Sequence, residues 1–212
     1  RVGATFARNS HVSHMPQSTL FPHLAHRRIV LASQSPRRRE LIAMLGLHVE
    51  CLARDVDESW PTSIEGPEVA EFVARKKALA YHDVLDADDV LVTGDTVVVL
   101  EGKVLEKPRS EAHAKEMLHA LSGATHTVAS AVAVTTLAGG TQSALDTCEV
   151  TFAPLTDAFI DLYVASGSPM DKAGAYGVQD WMGLVGVTHM KGSFYTVMGM
   201  PTHRLSELFL AL

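Results

Sequence analysis

The chain has 212 residues, of which 47% are hydrophobic, and this is enough for one α/β domain with a proper core. Seven arginines and no acidic residue precede Glu40, whereas 11 basic and 24 acidic residues make up the charge from Glu40 onward. A body this acidic argues against binding of long nucleic acid, which needs many neutralised phosphates, but it permits a small polyanion in one basic pocket. No apolar run reaches the roughly 18 residues that a membrane span requires.

Residues 1–27 differ from the rest of the chain, because they show no hydrophobic periodicity and hold four of the 11 histidines. Arginines without acidic residues are typical of a transit peptide, while His14 and Met15 also fit a cloning junction before a native start. We predict a disordered N-terminal extension or tag remnant over 1–27 and one folded domain over 28–212. Cys51 and Cys148 lack metal-ligand spacing, which favours a reducing, cytoplasmic environment.

The remaining chain alternates between strand and helix patterns. Strands are predicted from β-branched runs, and helices from apolar residues three to four apart and from capping residues. The predicted elements are a strand from 29, a helix at 36–46, a strand near 47–53, a helix opened by Pro67, a strand at 90–100 that forms a hairpin with 103–106, a helix from Ser110 to Gly123, strands at 125–136 and 145–153, a helix from Thr156 to Gly167 and a last helix at 202–212. This order predicts an α/β fold with a mixed twisted sheet, flanking helices and two lobes around a deep cleft.

The first predicted helix begins with three arginines, Arg37, Arg38 and Arg39, directly after the candidate N-cap Ser35. A helix N-terminus offers free backbone N–H groups and a positive dipole end, which attract phosphate and disfavour arginine. A bound polyphosphate would offset this mismatch. The alternative is a solvated basic face behind a good N-cap.

Asp95 is the most unusual residue of the strand predicted at 90–100. Its neighbours on both sides are apolar or β-branched, and a buried carboxylate is costly unless it is paired, hydrogen-bonded or metal-bound. We therefore favour a functional role over a turn that starts at Gly94. Lys77 lies four residues after Val73, so its stem shares the buried side of the helix while its ammonium can reach a cleft; Lys76 points elsewhere.

Three further positions carry weaker signals. Glu58 and its neighbour Asp57 lie in a polar loop, where they are either solvated acids or oxygen ligands for a hard cation. Lys107 precedes Pro108 at the end of the hairpin. The loop at 171–179 contains two glycines and suits either a surface connection or a segment that wraps a ligand.

Six short motifs in this order give the chain a specific resemblance. They lie at 33–41, 94–97, 106–108, 121–123, 171–179 and 199–201. Together they resemble the motifs of the Maf family of nucleoside triphosphate pyrophosphatases, over about residues 29–212. The resemblance implies a two-lobed fold related in shape to the inosine triphosphatases. It also implies hydrolysis between the α and β phosphates of a nucleoside triphosphate with a divalent cation, Mg²⁺ or Mn²⁺.

The resemblance also implies a role for each candidate residue. Asp95 corresponds to the proton acceptor and, with Glu58, to the metal site. The residues implied to bind the substrate are Ser33, Ser35, Arg37, Arg38, Lys77, Thr96, Lys107 and Gln179. Arg37, Thr96 and Gln179 match the subgroup that acts on dTTP and UTP, whereas the subgroup that resembles a 7-methyl-GTP hydrolase has Trp, Gln and Glu there. An amide can donate and accept, which matches the O4 and N3–H edge of uracil or thymine.

The sequence thus predicts an enzyme that hydrolyses dTTP and UTP, with CTP as a further substrate to test, in nucleotide-pool house-cleaning. A non-catalytic nucleotide-binding regulator linked to cell division is one alternative, and a pyrophosphatase of modified purine nucleotides is another. The expected partner is a small nucleoside triphosphate, without nucleic acid or membrane. A homodimer is left open.

Overall fold

The computed structural model describes residues 20–212. Within this range the strands are β1 (Ile29–Leu31), β2 (Glu50–Cys51), β3 (Val90–Leu100), β4 (Lys103–Leu105), β5 (Thr125–Thr136), β6 (Gly140–Phe152) and β7 (Val187–Lys191). The helices are α1 (Pro36–Met44), α2 (Glu68–Leu79), α3 (Glu111–Leu121), α4 (Asp157–Ala165), α5 (Trp181–Gly186), α6 (Phe194–Val197) and α7 (Thr202–Leu210). None of the described helices combines the length and the apolar character that crossing a membrane would need.

The strands form one mixed sheet in the order β2-β1-β3-β5-β6-β7, with β4 paired to β3. Strand β1 runs parallel to β2 and β3, and every other pairing in this sheet is antiparallel. The long apolar β3 lies in the middle, as expected for a strand rich in β-branched residues. The predicted α/β fold with a mixed sheet and flanking helices is confirmed.

One edge of β3 is only partly covered. Strand β1 pairs with Val90–Val92 and β4 pairs with Val98–Leu100, while β5 pairs with Leu91–Val99 along the opposite edge. Residues 93–97 therefore have a strand on one side only, within the part of the chain that the structure describes. This uncovered edge is where a cleft opens.

Two apolar cores lie on the same face of the sheet, one at each end of β3. Around Val92 the sheet packs against α1 and α7, and around Val98 it packs against α3 and α4. The opposite face is covered by α2, whose Val69 and Val73 pack against Val97. The two cores define two lobes, which meet at the uncovered edge of β3.

The segment before β1 packs against the domain that the sequence predicts from residue 28 onward. Phe21 and Leu24 are each 2% exposed and join the core around Val92. The Phe21 ring packs edge-on against Phe209 at 5.4 Å, and His23 Nε2 lies 2.7 Å from the Phe209 carbonyl oxygen. Polar neighbours hide this short apolar pair in the sequence. The disorder predicted for the earlier residues, 1–19, lies outside the described residues.

Two element predictions need correction. Strand β6 starts at Gly140 and not at 145, because its ladder with β5 continues to the turn at Gly139. The elements α5, β7 and α6 were not predicted at all. Helix α5 contains two glycines, β7 is a largely exposed edge strand, and α6 has four residues, so none produces a clear periodicity.

We expect Phe21→Ala to lower the free energy of unfolding by about 3–5 kcal/mol, the usual cost of truncating a buried aromatic side chain. Urea denaturation followed by circular dichroism measures this change. His26→Ala, which changes an exposed residue of the same segment, should stay within about 0.5 kcal/mol of the parent protein. Equal stability of both variants would show that the segment contributes nothing to the core.

Candidate active site

The ten site residues predicted from the sequence all line one cavity of about 800 Å³ at the uncovered edge of β3. They come from distant parts of the chain: the turn into α1, the loop before α2, α2 itself, β3, the end of the β4 hairpin and the loop before α5. The fold therefore brings together every predicted site residue. Their individual chemical roles stay predictions.

Asp95 is paired with Lys77 at the centre of the cavity. Lys77 Nζ lies 2.7 Å from Asp95 Oδ1 and 2.7 Å from Glu58 Oε1. The side chains of Lys77 and Asp95 are 11% and 13% exposed, whereas that of Glu58 is 48% exposed. Lys77 reaches this position because Val73, one helical turn earlier, packs α2 against the sheet. One ammonium group thus holds two carboxylates from different elements.

The two carboxylates differ in their acidity. Burial raises the pKa of Asp95 above its ordinary value, although the charges of Lys77 and Arg38 act in the opposite direction. Partial burial acts on Glu58 in the same sense, but the hydrogen bond and charge of Lys77 outweigh it and lower the pKa of Glu58. Two titratable groups whose surroundings push their pKa values apart are typical of sites that carry out acid–base chemistry.

The neighbouring Lys76 points away from Asp95, as predicted, and anchors the acidic loop. Its Nζ lies 2.8 Å from Asp57 Oδ2 and 2.7 Å from the Ser59 carbonyl oxygen. Asp57 also accepts hydrogen bonds from the Ser59 backbone and hydroxyl groups, and these contacts with Lys76 hold its pKa well below the usual range. The carboxylate of Asp57 therefore bonds within the loop and to Lys76, and Glu58 is the acid of this loop that faces the cavity.

The N-terminus of α1 faces the cavity without a side-chain cap. Ser110 and Thr156 cap α3 and α4 with their hydroxyl groups, as predicted. Ser35 occupies the N-cap position of α1, but its hydroxyl accepts no hydrogen bond from the first turn. Its backbone N–H instead donates to Ser33 Oγ at 3.1 Å. The first-turn amides of α1 are thus available to an anion.

The three arginines of this turn take different positions. Arg39 is exposed and does not line the cavity. Arg37 lies across the cavity from Asp171, with Nη1 3.7 Å from the carboxylate. Arg38 points inward, where Nε donates to the Gly199 carbonyl at 2.9 Å, and its Nη groups donate to Thr96 Oγ1 at 3.2 Å and Ser33 Oγ at 3.5 Å. Two of its five N–H donors remain for a ligand.

Lys107 and Gln179 line the same cavity, and both are exposed. Within residues 20–212, neither side chain has a hydrogen-bond partner. Lys107 acts on Glu58 through its charge and helps to lower the pKa of that group. Both side chains are free to reorient toward a bound molecule.

Lys172 supports the loop that carries Gln179, a role that sequence reasoning missed. Its side chain is 9% exposed, and Nζ lies 2.6 Å from the Ser168 carbonyl oxygen, 2.7 Å from Asp171 and 3.3 Å from Asp180. The burial of this lysine depends on carboxylates that only the fold brings together. The cavity is also lined by Trp60, Arg109, Asp171 and Tyr176, which the sequence reasoning did not select.

Gly174 allows the same loop to press against β3. Its φ is +67°, and a Cβ atom there would lie 2.8 Å from the side chain of Val98. Its backbone N–H donates to the Glu106 carbonyl at 3.2 Å, next to Lys107. A side chain at this position would separate the loop from the hairpin that carries Lys107.

A family model described as Maf-like protein matches residues 28–212, and the chain belongs to this family. A protein of Phocaeicola vulgatus named dTTP/UTP pyrophosphatase is 42% identical over 187 residues, which cover 88% of this chain and 96% of that protein. One of the same name from Bacteroides thetaiotaomicron is 46% identical over 178 residues, or 84% and 92% of the two chains. The structure of the Staphylococcus aureus Ham1 protein has the same type of fold, with a TM-score of 0.51 at 13% identity over 87% of this chain and 97% of that one.

We expect Asp95→Asn to gain stability relative to the parent protein as the pH rises from about 4 to neutrality. The raised pKa means that the folded state loses stability as Asp95 ionises, and asparagine does not ionise. Urea unfolding at several pH values measures the difference.

Asp171→Asn is the control for this comparison. Lys172 outweighs partial burial and lowers the pKa of Asp171, so its ionised form stabilises the folded state above the unfolded pKa. Asparagine should therefore become relatively less favourable at position 171 as the pH rises. The same sign for both variants would contradict the assigned direction at Asp95.

Proposed function

We propose that this protein hydrolyses the α–β phosphoanhydride of dTTP and UTP to the nucleoside monophosphate and pyrophosphate. The observation that carries the proposal is the arrangement of Asp95, Lys77 and Glu58 opposite the uncapped, arginine-bearing N-terminus of α1 in one cavity. A buried carboxylate with a raised pKa supplies a base, and the helix end supplies an anion site. The names of the relatives support the choice of nucleotide.

The triphosphate grip consists of the α1 turn and the basic side chains around it. Ser33, Ser35 and the first-turn amides offer hydrogen bonds, while Arg37, Arg38 and Lys107 offer positive charge. Arg37 exchanges its contact with the exposed Asp171 for a phosphate. The exposed Lys107 side chain reorients toward the phosphates. These cations stabilise the charge that develops on the departing pyrophosphate.

The donor set fits a hard divalent cation, Mg²⁺ or Mn²⁺. Glu58 and Asp95 place two carboxylates on one side of the cavity, and Mg²⁺ in proteins is commonly bound by one or two carboxylates together with substrate phosphates. No cluster of three or more acidic, His or Cys ligands occurs among residues 20–212, so phosphate and water oxygens would complete the shell. Such an ion, when bound, neutralises phosphate charge as a Lewis acid.

Asp95 acts as the general base. It takes a proton from a water molecule, whose oxygen attacks the α-phosphorus while the bond to the bridging oxygen of the β-phosphate breaks. The bonding electrons leave with pyrophosphate. Lys77 favours the ionised form of Asp95 and fixes its orientation, since desolvation alone would favour the protonated acid.

Nucleotide selection falls to Gln179 and Thr96. The exposed amide of Gln179 can pair with both the O4 and N3–H groups of a pyrimidine base. Thr96 acts through Arg38, because its hydroxyl oxygen accepts from that guanidinium. The cytoplasmic location, the absence of nucleic-acid and membrane partners and the oligomeric state stay predictions.

We expect dTTP and UTP, tested with CTP, ITP and 7-methyl-GTP in the presence of Mg²⁺, to give the highest kcat/KM for pyrophosphate release. The margin over ITP and 7-methyl-GTP should be about tenfold or more. Asp95→Asn should lower kcat by about 10²–10⁴-fold and still bind nucleotide, because the proton acceptor is lost while the basic groups that hold the phosphates remain. Asp88→Asn, an exposed aspartate just before the same strand, should keep full activity. Near-normal turnover of Asp95→Asn would rule out this base.

We expect Lys77→Met to move the acid limb of the kcat/KM profile to higher pH. The Lys77 charge lowers the pKa of Asp95, so its removal raises that pKa, and the base is then protonated over a wider range. Pyrophosphate release between pH 5 and 9 measures the limb. Lys76→Met removes the adjacent charge that pairs with Asp57, and the limb should stay in place. An unmoved limb in Lys77→Met would refute the coupling.

A further inference from the structure

A row of polar side chains crosses the sheet beside the cavity. Thr96 on β3 pairs with Ser130 on β5, and Ser130 pairs with Asp146 on β6. Directly paired residues of neighbouring strands project to the same face of a sheet. The next row on this face is apolar and consists of Val98, Val128 and Cys148. The polar row therefore lies between the two cores of the lobes.

The segment containing α6 is docked on this row. Thr196 is fully buried, and its carbonyl oxygen accepts a hydrogen bond from Ser130 Oγ at 2.7 Å. The hydroxyl group of Thr196 donates to Asp146 Oδ2. Three residues further along, the Gly199 carbonyl accepts from Arg38 Nε. The polar row thus fixes the α6 segment, and with it the Gly199 carbonyl, which is one of the two main contacts of Arg38.

The direction of each hydrogen bond follows from the available hydrogens. Ser130 has a single hydroxyl hydrogen, which it donates to the Thr196 carbonyl. In the 2.8 Å contact between Thr96 Oγ1 and Ser130 Oγ, Thr96 is then the donor, and the Gly199 carbonyl is a more distant second acceptor for the same hydroxyl group at 3.3 Å. The lone pairs of Thr96 Oγ1 remain for Arg38 Nη2 at 3.2 Å. A directed chain of hydrogen bonds therefore runs from Arg38 through Thr96 and Ser130 to the backbone of Thr196, which Asp146 anchors.

We propose that Ser130, Thr196 and Asp146 are positioning residues that orient Arg38 toward the phosphates of the substrate. This deepens the proposed function and rests on it for the identity of the anion. Arg38 has two N–H donors left for a ligand, and the chain decides where they point. Thr96 and Asp95 are consecutive residues of one strand and project to opposite faces, so the chain contacts Arg38 and makes no hydrogen bond to Asp95.

The test compares Thr196→Val with Thr196→Ser in the full chain. Valine has the shape of threonine but no hydroxyl group, and serine keeps the hydroxyl group. For Thr196→Val, we expect KM for dTTP and the Kd for inorganic pyrophosphate with Mg²⁺, from titration calorimetry, to rise together by about tenfold. Its kcat should fall by a smaller factor, because Arg37 and Lys107 still stabilise the departing pyrophosphate, and Thr196→Ser should behave like the parent protein.

Thr135→Val separates positioning from a general loss of stability. Thr135 is also buried, and its hydroxyl pairs with that of Thr141 at 2.8 Å in the same sheet, away from the cavity. This variant should lose thermal stability like Thr196→Val but keep the parent KM and Kd. If Thr196→Val also kept both constants, the positioning role would be overturned.

A second pair of variants applies if Thr196→Val does not fold. Asp146→Ala removes the acceptor of the Thr196 hydroxyl group, and Asp146→Asn keeps an acceptor oxygen while losing the same charge. The alanine variant should show the increase in Kd and the asparagine variant should not. Equal constants in both would overturn the proposal.

Pyrophosphate binding also separates a failure of the positioning role from a failure of the proposed hydrolysis. A parent protein that releases no pyrophosphate from any nucleotide would end the proposed function. The Kd for pyrophosphate would then still decide the role of the chain, because it requires no turnover. A parent protein that binds no pyrophosphate would overturn the positioning role as well.

Discussion

The uncovered stretch of β3 determines where the site lies and which residues can reach it. Strand β1 ends beside Val92, so the chain turns there and delivers the N-terminus of α1 to the gap. Strand β4 begins its pairing at Val98, and the chain that leaves its hairpin places Lys107 on the other side. Asp95 lies midway between the two. The lengths of two three-residue strands thus decide how groups that are far apart in the sequence come to share one cavity.

The same strand separates two tasks because consecutive side chains project to opposite faces. Asp95 faces α2, where Lys77 and Glu58 lie on the side of the cavity that we propose for proton transfer. Thr96 faces the α6 segment, where Arg38 lies on the side that we propose for phosphate binding. A buried ion pair contributes little net stability, since desolvation offsets its attraction. The Asp95–Lys77 pair is therefore better explained by what it does in the cavity than by what it adds to the fold.

Site residues could be predicted from the sequence where they contradict the pattern of their neighbours. Asp95 interrupts an apolar strand, and arginines at a helix N-terminus oppose the dipole, so both could be selected without a structure. Ser130 interrupts β5 in the same way, but a serine is small and easily satisfied within a sheet, so it gives a much weaker signal. The burial of Lys172 and the contact of Thr196 with Asp146 depend on segments that meet only in the folded chain. The short elements α5, β7 and α6 lack the length that periodicity needs.

The ion pair between Arg37 and Asp171 is weak enough for a substrate phosphate to replace Asp171. Arg37 and Asp171 lie 3.7 Å apart, with the Asp171 side chain 64% exposed, and exposed pairs of this kind contribute only about 0–1 kcal/mol. A phosphate can replace such a partner at little cost. Arg38, in contrast, keeps its protein contacts and offers only its remaining N–H donors. In the proposed function, Arg37 with its exchangeable partner would attract the triphosphate from solution, and the fixed Arg38 would hold it in a single orientation.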